Sequence, residues 1–281
     1  MKGVLISILL TFVIWGTSYG VELEKAIGIW LFDEGRGEVA GDSSGNRNKG
    51  EIKGAKWVEG KFGTALEFDG EDDLVEVPDS DTLNPTDKIS IVMWIKPYPN
   101  MNCDGNNNWR YLICKGNWGS YHVIYESDWA LNEIGWTVKI GGANKRLWTN
   151  GGAPPDQWTH LAFTYDADKG SKVYRNGMEE PGKNPQGPAK GSVGINPSPL
   201  KIGGGFNPGC PAGAGFFKGI IDEVAIFNDV LSQKEIETIM EKGLARTLRI
   251  LPSVEPVEKL PTVWGDIKAG CRARNSLASR S

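Results

Sequence analysis

The chain has little histidine: two residues, His122 and His160, in 281. Neither stands with Ser or Cys and an acid in an order that suggests a catalytic triad. With so few imidazoles and four widely spaced cysteines, a zinc site has no ligand set to draw on. No basic stripe is present either. Lys and Arg number 31 against 35 Asp and Glu, for a net charge of -4. That balance argues against a nucleic-acid partner, whose phosphates need a concentrated positive surface. Beyond the first residues, no apolar run is long enough to cross a bilayer.

What is abundant is glycine (37), proline (16) and tryptophan (11), on a hydrophobic fraction of 40%. That mixture favours turns and short strands over helix bundles, with enough apolar material for a core. The start of the chain has a different character. Lys2 precedes an apolar run from Val4 to Trp15, and Ser18 and Gly20 supply small residues before Val21. This is the pattern of a secretory signal over residues 1–20, too short for a span and without a Cys for lipid attachment. The mature protein is therefore expected to be secreted or held at the cell surface, where disulfides form. Cys103 and Cys210 both lie in Gly/Asn/Pro-rich loops and could be joined. A Cys103–Cys114 bridge across a hairpin base is the rival, because spacing alone does not fix connectivity. Cys271 lies in a polar tail, outside this framework.

Short apolar-alternating segments recur along the mature chain. They include Ile27–Phe32, Ala65–Phe68, Leu74–Val77, Ile89–Pro97, Tyr111–Lys115, Tyr121–Tyr125, Gly135–Ile140, Thr159–Tyr165, Lys172–Tyr174, Leu200–Ile202 and Gly219–Phe227. Turn chemistry separates them, with Asn176-Gly177 the strongest hairpin signal. One helix is expected. Ser232 and Glu235 form a capping box, Ile236, Ile239 and Met240 follow, and Gly243 supplies the stop. Pro252, Pro256 and Pro261 mark 246–268 as an extended strap or linker, and 269–281 reads as a polar, disordered tail. The folded domain is thus expected over 21–245, as an all-β, two-sheet antiparallel sandwich with one short C-terminal helix.

Six pieces in order resemble one family. They are WLFDEGRGEVAGDSSGNRNKGEI from Trp30, ALEFDGEDDLVEVPDS with ISIVMWIKP from Ala65, YLICKGN from Tyr111, QWTHLAFTYD from Gln157, KVYRNGMEE from Lys172 and FFKGIIDEVAIFNDVLSQKEIETI from Phe216. Together they resemble the laminin-G/pentraxin-like branch of the concanavalin A-like jelly rolls, over roughly Ala26 to Gly243. The resemblance implies two antiparallel sheets of six or seven strands each. It also implies that Trp30, Trp94 and Trp158, with Phe68, Phe163 and Phe227, point between the sheets.

Three chemistries compete for the site. Glu71, Asp73 and Glu76 have the E-x-D-x-x-E spacing of a glucanase catalytic strand on the same scaffold. Asp69-Gly70 starts a turn immediately before them, which favours a solvated acidic loop. A calcium ion suits exported jelly rolls, and the loop Asp42 to Asn48 carries short oxygen side chains around Gly45. Asp42 and Asn46 are its candidate ligands, and the resemblance suggests that Asp222 closes the site. An Asx-rich turn that caps its own backbone is the alternative. The third chemistry is sugar recognition by aromatic faces and hydrogen-bonding side chains. Trp109, Arg110, Asn117, Trp118, Tyr121 and Trp148 are its candidates, although period-2 alternation could turn some of the aromatics inward. The reading favoured is an exported, non-catalytic binding module with a glycan or an extracellular protein as partner. A glycoside hydrolase and a purely structural interaction domain are the alternatives.

Overall fold

The computed structural model describes residues 21–99, 109–116, 119–126, 133–183, 191–205 and 215–250. Cys103, Cys210, Asn117, Trp118, residues 1–20 and residues 251–281 lie outside the described residues. In chain order the strands are β1 (Ala26–Trp30), β2 (Val39–Ala40), β3 (Gly50–Lys53), β4 (Lys56–Glu59), β5 (Thr64–Asp69) and β6 (Leu74–Val77). Next come β7 (Lys88–Pro97), β8 (Trp109–Lys115), β9 (Tyr121–Glu126), β10 (Ile134–Ile140), β11 (Ala143–Trp148) and β12 (Thr159–Asp166). The last are β13 (Gly170–Arg175), β14 (Met178–Glu180), β15 (Leu200–Ile202), β16 (Gly215–Phe216) and β17 (Lys218–Phe227). Helices α1 (Gln233–Lys242) and α2 (Leu244–Thr247) follow. No helix among the described residues is long and apolar enough to cross a membrane.

The strands form two sheets, as a jelly-roll sandwich requires. One has eight strands in the order β14-β13-β12-β7-β17-β5-β4, with β1 added on β17. The other has nine, in the order β11-β10-β9-β8-β15-β6-β3-β2, with β16 added on β8. Pairing is antiparallel except between β16 and β8. Both sheets exceed the expected strand count because short edge strands extend them.

The long strands β7, β12 and β17 are apolar on both faces, and the structure shows why. Ile91, Met93 and Ile95 join Leu161 and Phe163 in the layer between the sheets. Val92, Ala162, Ala225 and Phe227 face the other way and pack under Ile236, Ile239 and Leu244. The helical segment therefore covers the outer face of the eight-stranded sheet, and Leu248 still packs in that layer. The capping box forms: Ser232 Oγ accepts from Glu235 N at 3.3 Å, and Ser232 N donates to Glu235 Oε2 at 2.7 Å. Gly243 ends α1 with φ 77. Ser232→Ala should lower stability by about 1 kcal/mol. A thermal melt should register this as a drop of a few degrees, and an unchanged midpoint would show that the cap contributes nothing.

The interior contains Trp30, Phe68 and Phe163 as expected. Trp30 Nε1 donates to the Asn48 carbonyl at 2.9 Å, which satisfies its one polar group. Trp94, Trp158 and Phe227 do not point between the sheets. On β7 the inward residues are Ile91, Met93 and Ile95, so Trp94 has the opposite parity. It lies cross-strand from His160 and Asp222, with Trp158 edge-on at 6.5 Å.

Candidate ligand-binding face

Strand pairing decides which side chains share the outer face of the nine-stranded sheet, since directly opposed residues point the same way. Tyr111, Ile124, Gly135 and Trp148 form one row across β8, β9, β10 and β11. Cys114, His122, Thr137 and Arg146 form the next. Trp109 stands opposite Glu126. The other parity of these strands, including Tyr121, Val123, Tyr125, Trp136 and Val138, lines the interior.

The outer-face rows build a platform. Tyr111, Cys114 and Ile124 are its buried base, and Trp109 and Trp148 pack on it half-buried. Gly135 seats one indole: a Cβ there would lie 2.6 Å from the Trp148 ring. The Arg146 guanidinium lies 5.4 Å from the centroid of the Trp109 ring, a cation–π arrangement. Tyr111 and His122 meet edge to face at 5.6 Å. Burial pushes the His122 imidazole down to about 3, so it is neutral at physiological pH. Burial pushes the Cys114 thiol up to about 12, which removes its thiolate reactivity. Cys114 is a free thiol whose S–H donates to the Gly116 carbonyl at 3.6 Å, so the rival Cys103–Cys114 bridge is not formed.

Of the six sugar-contact candidates, the structure brings Trp109 and Trp148 together. Arg110 and Tyr121 do not join them. Consecutive strand residues alternate faces, so Arg110 cannot share the side of Trp109. It lies opposite Tyr125, a core residue. Tyr121 is fully buried, and its hydroxyl donates to the Leu83 carbonyl at 3.1 Å. Arg146 was missed as a candidate. Asn144, Arg146 and Trp148 alternate along β11, and that spacing would have placed them on one face had the segment been read as a strand.

The three calcium candidates do not form one cradle. Asp42 Oδ1 accepts from Ile29 N at 3.0 Å and Ser44 N at 2.9 Å, and Oδ2 accepts from Asn48 N at 2.8 Å and Ser44 Oγ at 2.9 Å. Asn46 Nδ2 donates to the Ala26 carbonyl at 3.1 Å. The loop therefore caps itself and ties down β1, the Asx-turn alternative. Asp222 is engaged elsewhere: its Oδ2 accepts from Lys61 N at 2.8 Å and Phe62 N at 3.0 Å. Among the described residues, the acidic trio whose oxygens come within 4.8 Å of one another is Asp69, Asp72 and Asp73. Two of its oxygens accept from the turn itself, from Asp69 N and Glu71 N.

The glucanase-like acids lie in different settings. Glu71 is exposed on the turn before β6. Glu76 is on β6, ion-paired with Lys53 at 2.8 Å and Lys201 at 3.8 Å. The Lys53 hydrogen bond holds its carboxyl below the ordinary value, opposite to what a proton donor needs.

A second polar cluster lies on the other sheet. A bulge between Asp222 and Ala225 interrupts the pairing of β17 with β7, and Glu223 takes φ 53 there. Glu223 Oε2 accepts from Leu244 N, which holds α2 to the sheet. Asp222 Oδ1, Glu223 Oε1, Trp94 Nε1 and both His160 ring nitrogens are buried with no hydrogen-bond partner among the described residues. Burial, reinforced by repulsion from Asp33, pushes Asp222 up to about 7. Burial, with repulsion from Asp222 and Asp33, pushes Glu223 up to about 8.

Comparison with known proteins bears on the fold. A laminin-G type family model, described as concanavalin A-like lectin/glucanases superfamily, matches residues 69–237. No curated protein matches significantly. The chain is similar to the binding domain of Paraclostridial mosquitocidal protein 1 (TM-score 0.61, 16% identity, 78% of this chain and 52% of that one). It is also similar to domain 4 of AbnA, a GH43 extracellular arabinanase from Geobacillus stearothermophilus, solved with arabinotriose (TM-score 0.53, 22% identity, 77% of this chain and 98% of that one). A third neighbour is the botulinum neurotoxin serotype D ligand binding domain in complex with N-acetylneuraminic acid (TM-score 0.56, 15% identity, 78% of this chain and 51% of that one). The chain spans about half the length of the two toxin domains.

Proposed function

Because the chain belongs to the concanavalin A-like lectin/glucanases superfamily, we propose that it is an exported, non-catalytic carbohydrate-binding module. Its ligand sits on the Trp109/Trp148 face of the nine-stranded sheet. Membership of a superfamily that includes both lectins and glucanases does not choose between binding and hydrolysis, so the site must. The observation that carries the reading is the pair of half-buried indoles held on one outer face by a buried base and by Gly135. Sugar rings present apolar C–H patches to such faces, while Arg146, Asn144 and Lys139 supply hydrogen bonds alongside. The arabinotriose complex of the arabinanase domain supports a saccharide ligand on a related sandwich. The lowered pKa and ion pairing of Glu76 support binding without cleavage.

The test is a glycan array on the mature chain. Trp109→Ala and Trp148→Ala should each weaken the best-bound glycan at least about tenfold, with melting close to wild type, since losing one stacked ring removes roughly 1–3 kcal/mol of contact. An array with no bound glycan, or two variants that bind as wild type, would remove this reading. Reducing-sugar release that disappears in Glu76→Gln would replace it with hydrolysis.

A further inference from the structure

The sheet edge beside the two indoles is locally basic. From Ile134 to Trp148 the hairpin β10–β11 contains Lys139, Lys145 and Arg146 and no Asp or Glu, in a protein of net charge -4. Pairing sorts these cations by face. Lys139 opposes Asn144, and Thr137 opposes Arg146, so Lys139, Asn144, Arg146 and Trp148 all belong to the outer face. Lys145 opposes the core residue Val138 and has the other parity. Gly141 and Gly142 turn the hairpin with φ 55 and 82; both are exposed, and a Cβ at either would meet nothing within 4 Å. Lys201 adds a further cation in the row of Cys114 and His122, beside its partner Glu76. Among the described residues, the acids adjoining the indoles on this face are Glu126, opposite Trp109, and Glu133, which continues that row immediately before β10 and is ion-paired with Lys183.

Resting on the carbohydrate-binding reading, we propose that this face selects sugars bearing a carboxylate, such as a uronate or a sialate. A guanidinium laid on an indole has its plane set by the ring, and the planar fork of Arg matches a carboxylate in a way a point charge does not. With five N–H donors, Arg146 can serve a ligand carboxylate as well as a protein neighbour. Trp148 stands two residues along the same strand, about 7 Å away. One sugar ring can therefore lie on the Trp148 indole while its carboxylate meets Arg146. Lys139, two residues from Thr137 on β10, supplies a second positive charge without competing for the stacking surface.

Calorimetric titration with two matched pairs tests this: sialyllactose against lactose, and trigalacturonate against galactotriose. The acidic member of at least one pair should bind at least about tenfold tighter, and raising the salt concentration should narrow that gap. Arg146→Gln should abolish the preference, weakening the acidic member of the pair far more than the neutral one. Lys139→Gln should reduce the preference in part, with melting unchanged. Equal affinity within both pairs, or a preference that survives Arg146→Gln, overturns the inference and leaves the module reading standing. No binding to any of the four, with a blank array, removes both. Binding confined to phosphatidylserine vesicles overturns it and assigns the basic edge to a membrane surface.

Discussion

Lys115→Met should destabilise the domain by about 3 kcal/mol, because it removes one partner of a buried ion pair and leaves acceptors without a donor. The Lys115 side chain has no solvent exposure. Its ammonium donates to the Asp79 carboxylate, to the Asn196 carbonyl at 2.7 Å and to the Ser198 carbonyl at 2.6 Å. All three ammonium donors are thereby used, which is what makes a buried lysine tolerable. The arrangement joins β8 to the segment that enters β15 and to the residues that follow β6. Methionine fills much of the same volume but donates nothing. Asp79 is one-third exposed and can turn to water, so most of the cost falls on the two carbonyls. Urea denaturation at neutral pH measures the loss, and a change under about 1 kcal/mol would mean the ammonium does not hold these segments together.

Stability should fall as pH rises from about 6.5 to about 8. Asp222 and Glu223 are pushed up to about 7 and about 8, from ordinary values of 3.8 and 4.5. In this window the folded chain holds protons that the unfolded chain has released, so raising the pH favours unfolding. The two histidines act in the opposite sense. Burial pushes both His122 and His160 from 6.5 down to about 3. Below about 6.5 the unfolded chain gains protons on them that the folded chain does not, so lowering the pH favours unfolding. Between about 4.5 and 6.5 the two pairs nearly cancel, and above 6.5 the carboxylates dominate. The net loss from pH 6.5 to 8 is on the order of 1–2 kcal/mol, several degrees in the melting midpoint. Asp222→Asn with Glu223→Gln should flatten the decline. A midpoint that rises across this window would contradict the account of this buried pair.

Strands apolar on both sides are legible in the sequence. Segments such as Ile89–Pro97, Thr159–Tyr165 and Gly219–Phe227 carry their own signal, as does the Ser232/Glu235 cap. The edge strands are not. Ala143–Trp148 follows Gly141-Gly142 and contains Asn, Lys and Arg, so its composition resembles a continuing turn; backbone pairing with β10 makes it a strand. Facing is harder still, because it depends on register. Trp30 and Trp94 look alike in the sequence, yet one lies between the sheets and the other on an outer face. A bulge between Tyr111 and Ile113 shifts the alternation in β8, so Cys114 joins the outer rows with Tyr111 despite its even spacing from Arg110. The same parity separates Trp109 from Arg110 and breaks up the sugar-contact set drawn from the sequence. The calcium candidates are dispersed for a related reason: Asp42 has the chemistry of a ligand, but its oxygens accept from the turn it stands in.

Eleven tryptophans make the ligand-binding claim directly observable. Indole N–H resonances can be followed by NMR while the best-bound saccharide is titrated into the 15N-labelled protein. The expected result is saturable shifts of Trp109 and Trp148, with Trp94 and Trp158 on the opposite sheet unmoved. Shifts confined to Trp94 and Trp158, with Trp109 and Trp148 silent at saturation, would contradict it.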